Sequence, residues 1–521
     1  MFTGDEVFVN LDIRIATNRY ARSLSVGVAR PLLVACSGGT GHITAMKAIM
    51  RMFDLSELPQ YSTPSFANKP YSTSGFFMFM GNTFSTLLAA VPENLPVPKL
   101  PARALILEEI RLLEKSLEPH NMPFMDMLLH AYPAGFNQAA LWNYLQKNDM
   151  TRELAKLVAL QHYNDDYHRT IVRDGFLKAL ERGRRTGKQY TDVISTQALG
   201  LAGLCDAVLD YNRRYNENII IHQYMTDLPS TGAVHFFNSL SRLSAVQQNQ
   251  INLYAVDLHS GVIRHFFREG HYFQGLYNIN TKDNPMVRPA FMNPEYDFSD
   301  KFEQDVVLSL KNLDPQPIRA NEKIASILLG GQAGIDSIKY ILPLLAAGMD
   351  KVFLFAGSNR VLIEEVIKLQ TERGLADKIV LLPNQDDSHV ASVISRSNIV
   401  VTRPGGGTVM EHLAMKHNPQ QKIMLHHKDT RFEGPSTGIS WEDGNANLLI
   451  EKLGGEGITA VKTTPKIVRE QLLMFFPDRG ADLALDDEWE MIKNTEDSHD
   501  EEVDESMLDG WEHISSADAF V

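Results

Sequence analysis

Apolar and polar positions alternate along this chain with two periods. Short β-branched runs, apolar at nearly every position, give way to longer stretches in which apolar residues recur every three or four. That alternation is the signature of parallel βαβ units, whose strands are buried on both faces. In the first half it predicts strands at Leu32–Ala35, Asp192–Ser195, Ile219–His222 and Ile251–Val256. In the second half it predicts Ala325–Leu329, Lys351–Phe355, Ile379–Leu382, Ile399–Thr402 and Lys422–Leu425, spaced by roughly 20 to 28 residues. This spacing leaves room for one helix per crossover in a doubly wound sheet, so the expected fold class is α/β.

A chain of 521 residues exceeds the ~250 to 300 at which a single core stops growing, which predicts two domains. We place an N-terminal domain at 1–293. Within it, Asp54–Lys188 is too long for one crossover and must hold a largely helical insertion. The polar, proline-containing run from Pro294 to Lys323 reads as a linker. A second domain spans 324–481, and 482–521 forms an acidic tail without apolar periodicity. No repeat of 20 to 50 residues is visible, which excludes solenoids and propellers.

Charge changes the picture only at that tail. From Asp482 to Val521 there are 15 carboxylates against the single Lys493, which accounts for the whole formal charge of −14. The body is neutral and carries no basic stripe, so nucleic-acid binding is not expected. With 44% hydrophobic residues and only two distant cysteines, Cys36 and Cys205, a reduced intracellular fold is expected. The N-terminus has early acidic residues and no apolar segment of signal-peptide type. The most apolar stretch, Gly75–Val91, is interrupted by polar residues and is shorter than a membrane span. That stretch and the basic run Glu181–Lys188 leave peripheral membrane contact open, with buried core and solvated loop as the plainer readings.

Three glycine clusters follow predicted strands. In PLLVACSGGTGHITAMKAIM, Pro31–Met50, a strand delivers the chain to Gly38, Gly39 and Gly41, with His42 at the mouth and a helical pattern after it. ILLGGQAG, Ile327–Gly334, puts Gly330, Gly331 and Gly334 before a helix expected to contain Ile338, Ile341 and Leu342. VVTRPGGGTVMEHLA, Val400–Ala414, puts Gly406, Gly407 and Thr408 at a helix start, with Glu411 one turn in. Such turns bring backbone N–H groups and a helix N-terminus to the carboxyl edge of a sheet, where an anion can approach because glycine has no Cβ. One such loop can be no more than a tight turn. Three, spread over two α/β halves, point to a ligand held between two facing Rossmann-like domains.

The same residues carry a resemblance to the two-domain GT-B glycosyltransferases, in particular the peptidoglycan N-acetylglucosaminyltransferase and monogalactosyldiacylglycerol synthase family. GGTGHITAMKAI is similar to the family's first glycine loop, and YTDVISTQALGLAGL and IIIHQYMTDLPS resemble strands lining its acceptor cleft. MVRPAF resembles the segment that closes the first domain, LLGGQAG the diphosphate loop, and FAGSN the next strand end. TRPGGGTVMEH is the most specific match, followed by WEDGNANLLIEKLGG, which resembles the donor-sugar segment. Two features depart from the pattern. Asp54–Lys188 has no counterpart, and Trp441 and Glu442 stand near the place of the family's glutamine.

The resemblance implies transfer of a hexose or N-acetylhexosamine from a UDP-sugar to an acceptor, lipid, glycan or protein, with inversion. UDP-sugar would be a co-substrate and no cofactor is implied. Gly330, Gly331, Gly334, Gly406, Gly407 and Thr408 would cradle the diphosphate, Glu411 would bind the ribose, and Glu442 and Asn445, with Asp443, would meet donor hydroxyls. N–H groups and a helix dipole can neutralise the leaving diphosphate without a metal, and no ligand spacing for one is evident. An acceptor hydroxyl needs a base within about 3 Å, and imidazole is suited to that task. His42 is the first choice and Asp227 the second, as base or as its orienting partner. A UDP-sugar hydrolase or epimerase on the same fold, or a non-catalytic binding protein using the acidic tail, remain alternatives. The expected location is cytoplasmic, the alternative a secreted effector acting in a host cell.

Overall fold

The computed structural model describes residues 31–36, 41–52, 120–122, 169–187, 189–228, 237–257, 273–330, 333–357, 359–427 and 440–477, apart from single positions within these ranges. The expectations for Gly38, Gly39, Gly331, Gly75–Val91, the N-terminal segment, most of the insertion and the acidic tail lie outside the described residues.

The described chain builds two six-stranded sheets in which every pairing is parallel. The first contains β1 (Pro31–Cys36), β2 (His120–Met122), β3 (Asp192–Ser195), β4 (Ile221–Tyr224), β5 (Ile251–Val256) and β6 (Gly275–Ile279), in the order β2-β1-β3-β4-β5-β6. The second, beyond an antiparallel pair β7 (Val306–Leu308) and β8 (Gln316–Ile318), contains β9 (Ile324–Leu328), β10 (Lys351–Gly357), β11 (Ile379–Pro383), β12 (Ile399–Thr402), β13 (Lys422–His426) and β14 (Thr459–Thr463). Its order is β11-β10-β9-β12-β13-β14, which is 3-2-1-4-5-6 counted within the half, the order of a dinucleotide-binding Rossmann sheet. The fold is α/β, as the periodicity predicts.

The strands form where predicted because they are apolar on both faces. Leu32, Leu33 and Val34 in β1 and Ile399, Val400 and Val401 in β12 are all buried, each such side chain contributing about 1.5–3 kcal/mol. The helices present stripes to these sheets. In α1 (Gly41–Met52) Ala45, Met46, Ala48 and Ile49 are buried. In α2 (Leu201–Tyr215) Leu201, Leu204, Cys205, Val208 and Tyr211 are buried. Cys205 is a free thiol whose burial pushes its pKa up, which leaves it inert.

Two sequence expectations change in detail. After Gly334 the chain first takes a 3-10 turn, Ile335–Tyr340, so Ile338 lies in it and only Ile341 and Leu342 fall in α3 (Ile341–Ala346). Pro343 explains this: it has no N–H to give a helix running from 335, but it fits the first turn of one beginning at Ile341. Second, the segment read as a linker is folded. Val306, Leu308 and Ile318 are buried, and the segment is pinned from α5 (Asp387–Arg396), which follows α4 (Arg360–Arg373), by Arg396, itself fully buried. The Arg396 guanidinium donates to the Glu322 carbonyl (3.1 Å) and lies 4.9 Å from the Phe302 ring centroid.

Within the described part of the basic run, 181–187, Arg184 pairs with Glu217 (2.7 Å) and Glu181 with Arg214 (2.9 Å). No helix among the described residues is long and apolar enough to cross a membrane.

Candidate functional site

Each sheet reverses its winding at one place, and the candidate residues gather there. In the first half the reversal lies between β1 and β3. His42 stands in the first turn of α1, just after β1, and Thr196 follows β3. In the second half it lies between β9 and β12, where Gly330 and the loop Arg403–Gly405 follow their strands. Crevices at such points are where α/β sheets bind ligands.

His42 is half-buried, and its Nδ1 lies 2.8 Å from the Thr196 carbonyl and 2.9 Å from Thr226 Oγ1. A carbonyl can only accept, so Nδ1 carries the proton and Nε2 keeps its lone pair. Among the described residues Nε2 has no hydrogen-bond partner. The Thr196 hydroxyl donates back to the His42 carbonyl (3.0 Å), which locks the first turn of α1 to the end of β3. Burial pulls the His42 pKa below its ordinary value, partly offset by the bond to Thr196, so the imidazole is neutral near pH 7. Beyond it, the Thr226 hydroxyl lies 3.4 Å from Asp227 Oδ2. Burial pushes the Asp227 carboxyl up to about 7, against the bond from Thr226, which lowers it.

The second half brings α6 (Gly406–Ala414) to this cluster. Its N-cap is Gly405, which has no side chain to close the helix's first N–H groups. A Cβ at Gly406 would lie 2.8 Å from the Thr226 carbonyl oxygen and 3.8 Å from Asp227 Cα, whereas one at Gly407 would meet nothing within 4 Å. Gly406 is therefore a point where the carboxyl edges of the halves touch, Gly407 faces open space, and Thr408 is half-buried. The other loop is held open from below. Gly330 has φ +78° and Ala333 φ +50°, a conformation that costs a non-glycine residue energy. The Asn359 amide donates to the Ala333 carbonyl at 2.7 Å and so ties this loop to the end of β10.

Four expected donor contacts are engaged within the protein. Glu411, buried in α6, accepts from Arg288 Nε on Oε1 (2.5 Å) and from Nη2 on Oε2 (2.9 Å). Glu442 accepts from Arg403 Nε with both oxygens (2.8 and 2.9 Å). It lies in the first turn of α7 (Ser440–Gly455). Asn445, also in α7, is fully buried and donates to the Pro404 carbonyl (3.3 Å), which makes it a support of the glycine loop. Asp443 pairs with Lys462. Gly41, on the acceptor side, is exposed at the start of α1 with nothing within 4 Å of a notional Cβ.

Arg288 and Arg403 were not singled out by sequence reasoning, although MVRPAF and TRPGGG contain them. Arg403 lies beside the diphosphate-type loop, with its Cδ 3.9 Å from a notional Cβ on Gly330. An arginine next to a glycine loop at a sheet reversal was the available signal. Among the described residues no three His, Cys, Asp or Glu side chains are placed to hold a metal ion.

Two parallel α/β halves whose carboxyl edges meet constitute a GT-B-like fold. No protein-family model matches the chain, and no curated protein matches it. Among solved structures it is similar to MurG from Acinetobacter baumannii (12% identity, 60% of this chain and 73% of that one, TM-score 0.33). It is also similar to a UDP-glucosyltransferase from Polygonum tinctorium capable of glucosylating indoxyl (11%, 88% and 92%, TM-score 0.39). A third is UDP-GlcNAc 2-epimerase from Neisseria meningitidis bound to UDP-GlcNAc (13%, 61% and 76%, TM-score 0.34). With all three TM-scores below 0.5, the architecture rests on the strand order and register described above.

Proposed function

We propose that this protein is a glycosyltransferase that moves a hexose or N-acetylhexosamine from a UDP-sugar to an acceptor hydroxyl, with inversion. One observation carries the reading. An imidazole with its Nδ1 proton fixed on a carbonyl, and with no partner on Nε2 among the described residues, stands beside the glycine-capped helix N-terminus of the opposite half. In this reaction Nε2 of His42 takes the acceptor proton while the acceptor oxygen bonds to the anomeric carbon. The bond from that carbon to the diphosphate oxygen breaks on the opposite face, and UDP leaves with the electron pair. The N–H groups at the start of α6 and the loop at Gly330 meet the negative charge that develops there, a placement suited to electrostatic stabilisation. Asp227 stabilises the imidazolium through Thr226, and Arg403, held by Glu442, adds a positive charge behind the loop.

Thermal unfolding with UDP, UDP-glucose, UDP-galactose and UDP-N-acetylglucosamine tests the donor half of this reading. A nucleotide at ~100 times its dissociation constant adds about 2.7 kcal/mol to stability. That gain is expected to shrink strongly in Glu411→Gln, which keeps the side-chain volume but loses the charge that binds a ribose diol. If the wild-type protein shifts with none of the four, the reading is wrong. Donor consumption at an undiminished rate without acceptor would replace it with a hydrolase.

A further inference from the structure

The reading above gives Glu411 to the ribose, yet both its carboxylate oxygens are already bound by one guanidinium. Arg288 follows β6 and stands just before the 3-10 turn Pro289–Met292, and its ring neighbour Phe291 lies 4.6 Å from the guanidinium carbon. Its Nη1 also reaches Asp387 Oδ1 at the start of α5 (3.2 Å), and Asp387 Oδ2 is taken by Arg51 from α1. The four side chains form an alternating chain of charge, Arg51–Asp387–Arg288–Glu411, that sums to zero and crosses three times between the halves. Arg51 and Arg288 come from the first half, Asp387 and Glu411 from the second. The inner pair is largely shielded, with side chains only 18% and 8% exposed, whereas Arg51 is 55% exposed.

A carboxylate has about four lone-pair sites, and a bidentate arginine takes one on each oxygen. The Glu411 side chain is only 8% exposed with Arg288 against both oxygens, so a ribose diol reaching the same carboxylate needs the space that the guanidinium fills. The two partners of Glu411 therefore compete for it. We propose that this chain is an interdomain clasp: it closes the halves on each other when no nucleotide is present, and a nucleotide must displace Arg288 from Glu411 to bind. This deepens the glycosyltransferase reading and rests on it for the identity of the ligand. Binding affinity is then the intrinsic affinity multiplied by the fraction of time the clasp is open, so weakening the clasp tightens binding.

The test uses the full-length protein, UDP as probe and two readouts. Isothermal titration compares UDP affinity in wild type, Arg288→Met and Asp387→Asn. Asp387→Asn loosens Arg288 without leaving Glu411 unpaired, and so guards against misfolding of the first variant. Small-angle scattering measures the radius of gyration of each without ligand. Both variants are expected to be more extended and to bind UDP more tightly, by about tenfold for Arg288→Met if roughly nine molecules in ten are clasped. Unchanged or weaker UDP affinity in both variants, with wild type still binding, overturns the clasp and leaves the glycosyltransferase reading intact. Extended variants with no UDP binding by any of the three proteins overturn that reading instead. Unchanged dimensions together with no binding overturn both.

Discussion

Gly406→Ala is expected to lower kcat/KM by roughly a hundredfold, measured as UDP release from the preferred UDP-sugar, and to lower the melting temperature as well. The added Cβ would lie 2.8 Å from the Thr226 carbonyl oxygen. The Cβ is fixed by its own backbone and the oxygen belongs to backbone, so no rotamer change relieves the contact. The start of α6 must withdraw from the end of β4, carrying the helix N-terminus away from His42 and Asp227. Misplacing reacting groups by about 1 Å can cost about a hundredfold. Gly454→Ala, also helical and with nothing within 4 Å of its notional Cβ, is the control. It should gain on the order of 1 kcal/mol from helix propensity and keep full activity. Wild-type kcat/KM in Gly406→Ala would show that the halves do not need this contact.

His42→Gln is expected to reduce kcat by 10²- to 10⁴-fold, the usual range for a general base, and to leave UDP affinity unchanged. The pH dependence separates the base from its neighbour. Because the His42 pKa is lowered, its own protonation limits the rate only below its ordinary value. Asp227, at about 7, should instead set a rising limb of kcat near neutrality, and Asp227→Asn should remove that limb. Stability has the opposite sign. The folded state holds the Asp227 proton up to about 7, while the unfolded chain releases it near 3.8. This contribution is therefore complete below 3.8 and lost as pH rises to about 7. At pH 8 Asp227→Asn should be the more stable protein, by on the order of a few kcal/mol. A flat kcat profile between pH 6 and 8 in the wild type would remove Asp227 from the scheme.

The buried strands were legible in the sequence because burial on both faces forces near-continuous apolar runs. β3, β5 and β12 have the predicted limits. β4 begins two residues later than the isoleucine run suggests, since the sheet buries His222 and Gln223 along with its apolar residues; His222 lies 3.0 Å from the Tyr254 hydroxyl. The strands that reasoning missed are edges or fragments. β6 and β14 are the outer strands of their sheets, half-exposed and partly polar, and β2, β7 and β8 have three residues each. None of these needs an apolar run. The glycine loops and His42 were visible as local motifs for the same reason that β1 was, because strand, turn and helix follow one another directly. The ion pairs were not. Arg288 finds Glu411 across 123 positions and Arg403 finds Glu442 across 39, and neither separation carries a period that a sequence could display. Glu411 and Glu442 could be read only as free carboxylates until the fold supplied their partners.

Trp441, in the first turn of α7, belongs to the second half by sequence but is buried in the apolar cluster built from β1, β3, α2 and β5 of the first. Of the four tryptophans in the chain this is the one among the described residues, and its surroundings change from apolar to aqueous when the halves part. Its emission should lie to the blue while they are closed and move to the red as they open. The molecule thus carries a built-in optical gauge of the gap between its halves, and that gap can be followed in real time without a label.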